Sequence, residues 1–424
     1  MPIAPIAAGN QQIVHVEEFA ALRAVIEHHL PEALKFLERL VAVNSFTANR
    51  AGVLRNAELV AAQFRELGFA EERVPAENPV FGDHQFLRRS GKGRKGVMLV
   101  THLDTVYPEE EEKRHRFSWQ AEAGRIYGPG VNDNKGGTVM IWLVLSALRE
   151  LEPKVFENFS WQIAANAAEE ELVPDFPELC RARMPRECYA ALVFEACGGS
   201  GQGMSLARCR KGSANMRVYV EGRGAHAGSR HREGANAIVE LARVIERVAQ
   251  LTDYSRELTV NVGSVKGGGP VNRVPHFAEC EVNIRALDEA ILHAAVDAMF
   301  ALEEESASVR AVSDGFACRV KVDLLNRNPA WPQSATTDGL IDVWMQAAQR
   351  LHLSLRAEPR GGLSDGNYLS RFVPTLDGLG PFGLNGHSSE RSPDGSKVPE
   401  YVVVSSFLEM GAINVAAIRE LARR

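Results

Sequence analysis

Several common protein classes are marked by features this sequence lacks. Its six cysteines, Cys180, Cys188, Cys197, Cys209, Cys280 and Cys318, form no CxxC pair, which excludes a zinc ribbon and a dithiol redox motif. They read as free thiols buried in a core. No apolar run approaches the roughly 20 residues that span a bilayer. Positive charge is not in excess: the net charge is −6, so no basic footprint draws nucleic acid or an anionic lipid surface. Met1 to Gln12 has no basic segment followed by an apolar core, the mark of a secretory signal. Together these absences predict a cytoplasmic protein in a reducing compartment, with neither nucleic acid nor membrane among its partners. No repeat of fixed period and no low-complexity tract is present.

The composition is that of an ordinary globule, 45% hydrophobic and 24% charged, but 424 residues exceed what one hydrophobic core usually supports. Two domains are therefore expected. Apolar residues recur at helical spacing from Val16 to Val43 and from Ala51 to Leu67, the second run closed by Gly68. A buried strand, Gly96 to Thr101, leads into His102; a helix carries Gly136 to Leu148, and a strand runs from Phe159 to Asn166. This alternation predicts an α/β domain, with a parallel sheet and helices on its faces.

From about Cys209 the order changes. Strand Ala214–Glu221, helix Gly234–Leu251, strands Leu258–Val265 and Ala278–Arg285, helix Asp288–Glu305 and strand Cys318–Leu324 give β-α-β-β-α-β. That is the ferredoxin-like α+β arrangement, inserted as a unit. The first pattern resumes with helices at Thr337–Leu351 and Ser405–Leu421. Residues 1–208 and 326–424 are thus expected to form one domain and 209–325 the other. The run Glu109 to Glu112, followed by Lys113, Arg114, His115 and Arg116, reads as a solvated loop.

Acidic and histidine residues stand where strands of the first domain end. In Thr101-His102-Leu103-Asp104 the histidine and aspartate share one side of an extended segment, so the carboxylate can accept the second imidazole N–H and orient the ring toward a metal. A strand-end histidine satisfied by its neighbour is the plain alternative. Asp133 sits in a glycine-rich turn ahead of a helix, where an ordinary N-cap carboxylate is the plain alternative. Glu169, Glu170 and Glu171 follow the apolar strand Trp161 to Ala165, and Glu195 follows Ala190 to Phe194. Adjacent carboxylates at the mouth of a buried strand repel unless a cation lies between them or they divide their roles. Carboxylates and imidazoles meeting in one cleft, with His387 far downstream, suit zinc and read as a metallohydrolase.

These motifs resemble the co-catalytic dizinc aminoacylase and carboxypeptidase family that includes glutamate carboxypeptidase, acetylornithine deacetylase and succinyl-diaminopimelate desuccinylase. The resemblance runs from about Val41 to the end and is nearest in pattern to glutamate carboxypeptidase. It rests on His102-Leu103-Asp104-Thr105-Val106, the glycine-rich Gly128 to Gly137 around Asp133, the pair Glu169–Glu170, Gly222 to Gly228 around His226, and the late His387. It implies a zinc-peptidase-like catalytic domain, a mixed sheet flanked by helices, interrupted by a lid and dimerisation domain. It also implies two divalent metal ions, zinc first, with cobalt or manganese as substitutes. Asp133 would bridge them, His102 and Glu195 completing one site and Glu170 and His387 the other. Glu169 would be the general base; that choice over Glu170 rests on family order.

By the same resemblance His226 would stabilise the oxyanion from the partner subunit of a homodimer joined through the lid. Asn272, Arg285 and the Gly361–Gly362 turn would meet the substrate carboxylate, for which a guanidinium gives directional pairing. A surface arginine and a plain glycine turn remain the alternatives there. Two departures stand out: Glu171-Leu172-Val173-Pro174 replaces the usual glycine and small residue after the glutamate pair, and Ser388 to Pro399 is longer and more polar than in the glutamate carboxypeptidase pattern. The expected function is metal-dependent hydrolysis of an amide C–N bond in a small molecule or short peptide that carries a carboxylate, a C-terminal amino acid or an N-acyl amino acid. The alternative is a specialised amidohydrolase or deaminase acting on a small aromatic or other non-peptide C–N bond. A non-catalytic binding protein of the same fold is the third reading, opposed by the many like charges it would keep buried without use.

Overall fold

The computed structural model describes residues 7–171, 173–200, 203–304 and 307–423. Leu172 and Glu305, which the sequence placed after the acidic run and at a helix end, lie outside them. The chain divides into two compact units, residues 1–208, 333–359 and 364–424 in one and 209–332 with 360–363 in the other.

A nine-stranded mixed sheet organises the first unit. Its centre is parallel: Ser160–Asn166, Lys95–His102, Glu187–Val193 and Thr375–Asp377 lie side by side in that order. Antiparallel strands flank them, Asp83–Arg89 and Ala70–Pro75 on one side, Gly203–Arg210 on the other, followed by Leu355–Arg360. Val97, Met98, Leu99 and Val100 are all buried, as expected of a strand covered on both faces. The helix Lys135–Leu151 is buried on every side from Lys135 to Leu148, and it packs against Ala7–Val41 and Val404–Arg423. Its all-round apolar sequence follows from that position. Register sets the working end: His102 pairs with Asn166 and Val100 with Val193, so the segments carrying Glu169–Glu170 and Glu195 leave the sheet beside His102.

A small sheet of Gly383–Leu384, Tyr401–Val403, Arg125–Tyr127 and Gln120–Glu122 brackets the glycine-rich turn and the loop that bears His387. The acidic run is a short helix, Glu109–His115, rather than the solvated loop expected. Its acidic residues fill the first turn and its basic ones the last, each facing the complementary end of the helix dipole.

The second unit is a four-stranded antiparallel sheet in the order Thr259–Gly267, Phe277–Ala286, Gly212–Glu221, Arg319–Asn328. Helices Ala237–Ala249 and Glu289–Ala301 pack on it, capped by the side chains of Asn236 and Asp288. Alternation decides the covered face: Ala214, Met216, Val218 and Val220 are buried while Asn215, Arg217, Tyr219 and Glu221 are not. The return to the first unit, expected at 326, falls inside a strand whose pairing continues to Asn328 opposite Ser213. The polar Asn326-Arg327-Asn328 does not alternate, which is why the sequence hides that strand end.

Candidate metal centre

His102 ends its strand with a fully buried side chain. Its Nδ1 lies 3.1 Å from the Asp104 carbonyl oxygen and 3.2 Å from Asp104 Oδ1. A ring that donates Nδ1–H to Asp104 presents the lone pair of Nε2 to the cluster. That Nε2 is 3.0 Å from Asp133 Oδ1 and 3.7 Å from Glu195 Oε1. On the other side of the aspartate, His387 Nε2 is 3.3 Å from Asp133 Oδ2 and 3.3 Å from Glu170 Oε2. The sequence-selected residues His102, Asp133, Glu170, Glu195 and His387 are therefore brought together.

Asp104 links three elements. Beyond His102 it accepts hydrogen bonds from the backbone N–H of Glu169 at 3.1 Å, that of Glu170 at 3.3 Å and the Thr47 hydroxyl at 2.7 Å. The three glutamates form one 3₁₀ turn in which Glu169 is buried and Glu171 exposed, so they do divide their surroundings. The Glu169 carboxylate takes no hydrogen bond among the described residues, and burial drives it well above the usual carboxylate range, Glu195, Asp365 and Glu170 adding to the effect against His102. Burial also raises Glu170, against the pull of His387. Asp133 moves the other way: hydrogen bonds from His102 and His387 outweigh its burial. Bonds to Asp133 and Glu170 push the His387 imidazole up to about 10.

A divalent cation fits this donor set. Glu170 Oε1 is buried without a hydrogen-bond partner among the described residues. His102, Asp133 and Glu170 each offer a ligand atom, all within 4.8 Å of one another. Nitrogen and carboxylate oxygen donors gathered this closely suit a divalent metal ion.

Comparison with known proteins points the same way. Residues 209–308 match the Peptidase dimerisation domain and residues 86–246 match Peptidase family M28. The chain is 26% identical over 387 residues to carboxypeptidase G2 of a Pseudomonas species, covering 90% of each, and 27% identical over 280 residues to the acetylornithine deacetylase of Klebsiella pneumoniae, covering 62% of this chain and 70% of that one. Among solved structures, a tripeptidase from Staphylococcus aureus shares the fold with a TM-score of 0.71 at 19% identity, over 93% of this chain and 99% of that one. The chain is similar over most of its length to members of the aminoacylase and carboxypeptidase family. It is a metal-dependent hydrolase of amide bonds.

The hydrolase's other predicted residues lie in the second unit. His226 is exposed, and its Nδ1 accepts the backbone N–H groups of Gly228 at 3.1 Å and Ser229 at 3.2 Å. A neutral ring in that position carries its hydrogen on Nε2. Asn272 is exposed and its carbonyl accepts from the N–H of Ala227. Arg285 donates to Asn283 Oδ1 at 3.0 Å and to the Gly361 carbonyl at 2.9 Å, so two of the sequence-selected substrate contacts touch. Gly362 lies beside them in sequence, its carbonyl accepting from Arg210. All six cysteines are free, five of them buried and Cys188 partly so.

Sequence reasoning missed several buried polar groups. Asn134 Nδ2 donates to Glu195 Oε1 at 2.9 Å, and the Asp133–Asn134 peptide is cis. Glu400 accepts from the N–H groups of Asn132 and Asp133, and burial pushes its carboxyl up to about 7. Lys135, held by the Val43 carbonyl, is pulled down to about 8 by burial, against Glu112 and Glu400. Asp365 accepts from Asn166, and burial raises it to about 7. Lys135 stands inside the glycine-rich segment Gly128 to Gly137 already singled out, and Asp365 lies three residues past the Gly361–Gly362 turn; each is flanked by a polar residue and a glycine, so no apolar pattern marks it. Nothing in the local sequence marks Glu400.

Proposed function

We propose that this hydrolase cleaves the amide C–N bond of a small substrate with a free carboxylate, either the C-terminal amino acid of a peptide or an N-acyl amino acid, with two divalent ions, zinc first, at Asp133. One observation carries the reading: the two imidazoles present Nε2 to opposite oxygens of a single carboxylate, at 3.0 and 3.3 Å. Asp133 would then be the shared ligand, with His102 and Glu195 completing one set and Glu170 and His387 the other. Divalent ions held by these residues would lower the pKa of a water toward about 7 and polarise the carbonyl under attack.

The remaining steps belong to the chain. Asp104 holds the His102 ring and, through the N–H groups of Glu169 and Glu170, keeps that turn in register with it. Glu169 takes the proton of the attacking water and hands it to the departing nitrogen; its unpaired, buried carboxylate has the proton affinity such a shuttle needs. His226 serves as oxyanion donor through Nε2–H, the hydrogen that its Nδ1 contacts leave outward. Arg285, with Asn272 and the Gly361–Gly362 turn, takes the substrate carboxylate; its Nε and Nη1 bond Asn283 and Gly361, and Nη2 makes no hydrogen bond among the described residues. The match to the Peptidase dimerisation domain supports a homodimer formed through the second unit. No helix among the described residues is long and apolar enough to cross a membrane, in keeping with a cytoplasmic site of action.

A hydrolysis screen of the zinc- or cobalt-loaded protein tests this, using N-acyl amino acids, dipeptides and aromatic amides, with Glu169→Ala as the blank. Turnover confined to carboxylate-bearing substrates and absent from the blank supports the proposal. Turnover only on aromatic amides moves the enzyme to the non-peptide reading.

A further inference from the structure

Two of the metal-facing side chains, Asp133 and His387, stand on irregular segments rather than at strand ends. Asp133 lies in the turn before Lys135–Leu151, and His387 follows Asn385 and Gly386, with a φ of 66° at the histidine itself. One buried carboxylate touches both segments. Glu400 Oε1 accepts the backbone N–H of Asn132 at 2.7 Å and that of Asp133 at 2.9 Å. Its Oε2 accepts the hydroxyl of Tyr107 at 2.7 Å, and Tyr107 itself is buried. The backbone N–H of Glu400 donates to the Ser388 carbonyl at 2.7 Å, one residue past His387, and the Tyr107 hydroxyl lies 3.4 Å from the same oxygen. Glu400 is fully buried and immediately precedes the strand Tyr401–Val403, which anchors its backbone against Arg125–Tyr127.

We infer that Glu400, with Tyr107, is a positioning residue for the metal centre: it fixes the 132–133 peptides and the Ser388 carbonyl at once, and so sets the spacing between Asp133 and His387. The inference rests on the proposed metal-binding reading. The physical basis is geometric. A carboxylate that accepts two adjacent N–H groups on one oxygen pins the peptide planes on which Asp133 turns, and neither Asp133 oxygen is used in doing so. Groups that orient a ligand rather than bind metal typically change affinity 10- to 100-fold when removed. The arrangement also gives the long polar segment 388–399 a boundary. The hydrogen bond from Glu400 to Ser388 closes it as a loop, so its extra length is accommodated without displacing the histidine before it or the glutamate after it.

The test is metal affinity, measured by titrating zinc into full-length metal-free protein against a chelating competitor, with circular dichroism and thermal melting recorded alongside. Glu400→Ala is expected to weaken zinc binding about 10- to 100-fold. Glu400→Gln keeps an oxygen for the two N–H groups and should recover most of that loss; Tyr107→Phe should fall at the mild end of the range. A purely structural role predicts a lower melting temperature with unchanged affinity in the folded fraction, and that result overturns the inference. So does Glu400→Gln weakening binding as far as Glu400→Ala, because charge rather than hydrogen-bond geometry would then be at work. If Glu400→Ala does not fold, parental affinity in both Glu400→Gln and Tyr107→Phe rejects it. Failure of the parent protein itself to bind zinc, cobalt or manganese is a different result and removes the metal reading altogether.

Discussion

His102 reaches the centre from the end of a buried parallel strand with its side chain wholly covered, whereas His387 reaches it from a turn with its side chain 54% exposed. The difference extends to their partners. His102 has Asp104 behind it, and Asp104 is itself held by Thr47, Glu169 and Glu170. On the other side Glu170 keeps a buried oxygen without a hydrogen-bond partner among the described residues. One half is prebuilt by the sheet, and the other takes its spacing from loops. Parallel strands deliver side chains at a height fixed by register, so little further structure is needed to place them. A loop-borne ligand depends on hydrogen bonds from elsewhere in the chain.

The harshest way to break this comparison is to remove what the halves share. Asp133→Ala should abolish stoichiometric metal binding on both sides and lower kcat/KM by more than about a thousandfold. Elemental analysis of the purified variant checks it; retention of two equivalents of metal would show that Asp133 is not shared. Next in size is Glu169→Gln, which leaves every metal-facing atom in place. It should cost about 10²- to 10⁴-fold in kcat with full metal content and little change in KM. A parallel fall in metal content would make Glu169 a ligand rather than a base.

Removing one imidazole at a time sharpens the contrast. His102→Ala leaves the buried Asp104 with Thr47 and the N–H groups of Glu169 and Glu170 but without the imidazole, and breaking a buried pair typically costs about 3–5 kcal/mol. His387→Ala removes a half-exposed ring and should change the stability of metal-free protein by no more than about 1 kcal/mol. Urea unfolding of the two metal-free variants measures the difference. Equal losses would mean that the loop-borne half is as firmly built as the strand-borne one.

That asymmetry also explains what could be read in the sequence. His102, Asp104, Glu169, Glu170 and Glu195 were legible because each follows an apolar run that can only be a buried strand, and the sheet converts such positions into neighbours. The ferredoxin-like unit was legible because its strands alternate, Ala214, Met216, Val218 and Val220 inward. Asp133 and His387 needed family motifs, since a glycine turn and a lone late histidine carry no periodicity. Glu400 escaped because its role is made by contacts some 268 residues away in sequence, Asn132 to Glu400, which no local pattern encodes. The helix Glu109–His115 is hidden for a different reason: with no buried residue it has no apolar periodicity, and only the order of its acidic and basic residues matches a helix dipole.

The smallest effect is a pH dependence in metal-free protein that separates the loop-borne His387 from the buried Asp365 by the windows in which they titrate. The His387 imidazole is pushed up to about 10 by hydrogen bonds to Asp133 and Glu170. A raised histidine stabilises the fold fully below its ordinary value near 6.5 and loses that contribution as pH rises through about 10. Asp365 is raised to about 7 chiefly by burial, so it costs nothing below about pH 4 and increasingly destabilises as pH rises toward 7. Both trends lower stability with rising pH, but in different ranges. His387→Ala should flatten the fall between about pH 6.5 and 10, by no more than about 1 kcal/mol given its exposure. Asp365→Asn should flatten the fall between about pH 4 and 7, only in part, because Glu400 is raised to about 7 as well and titrates there. Urea midpoints of the parent and both variants, taken across pH 4 to 10 in the presence of a chelator, decide it. If His387→Ala leaves the alkaline slope intact, the imidazole is not held between Asp133 and Glu170 in solution.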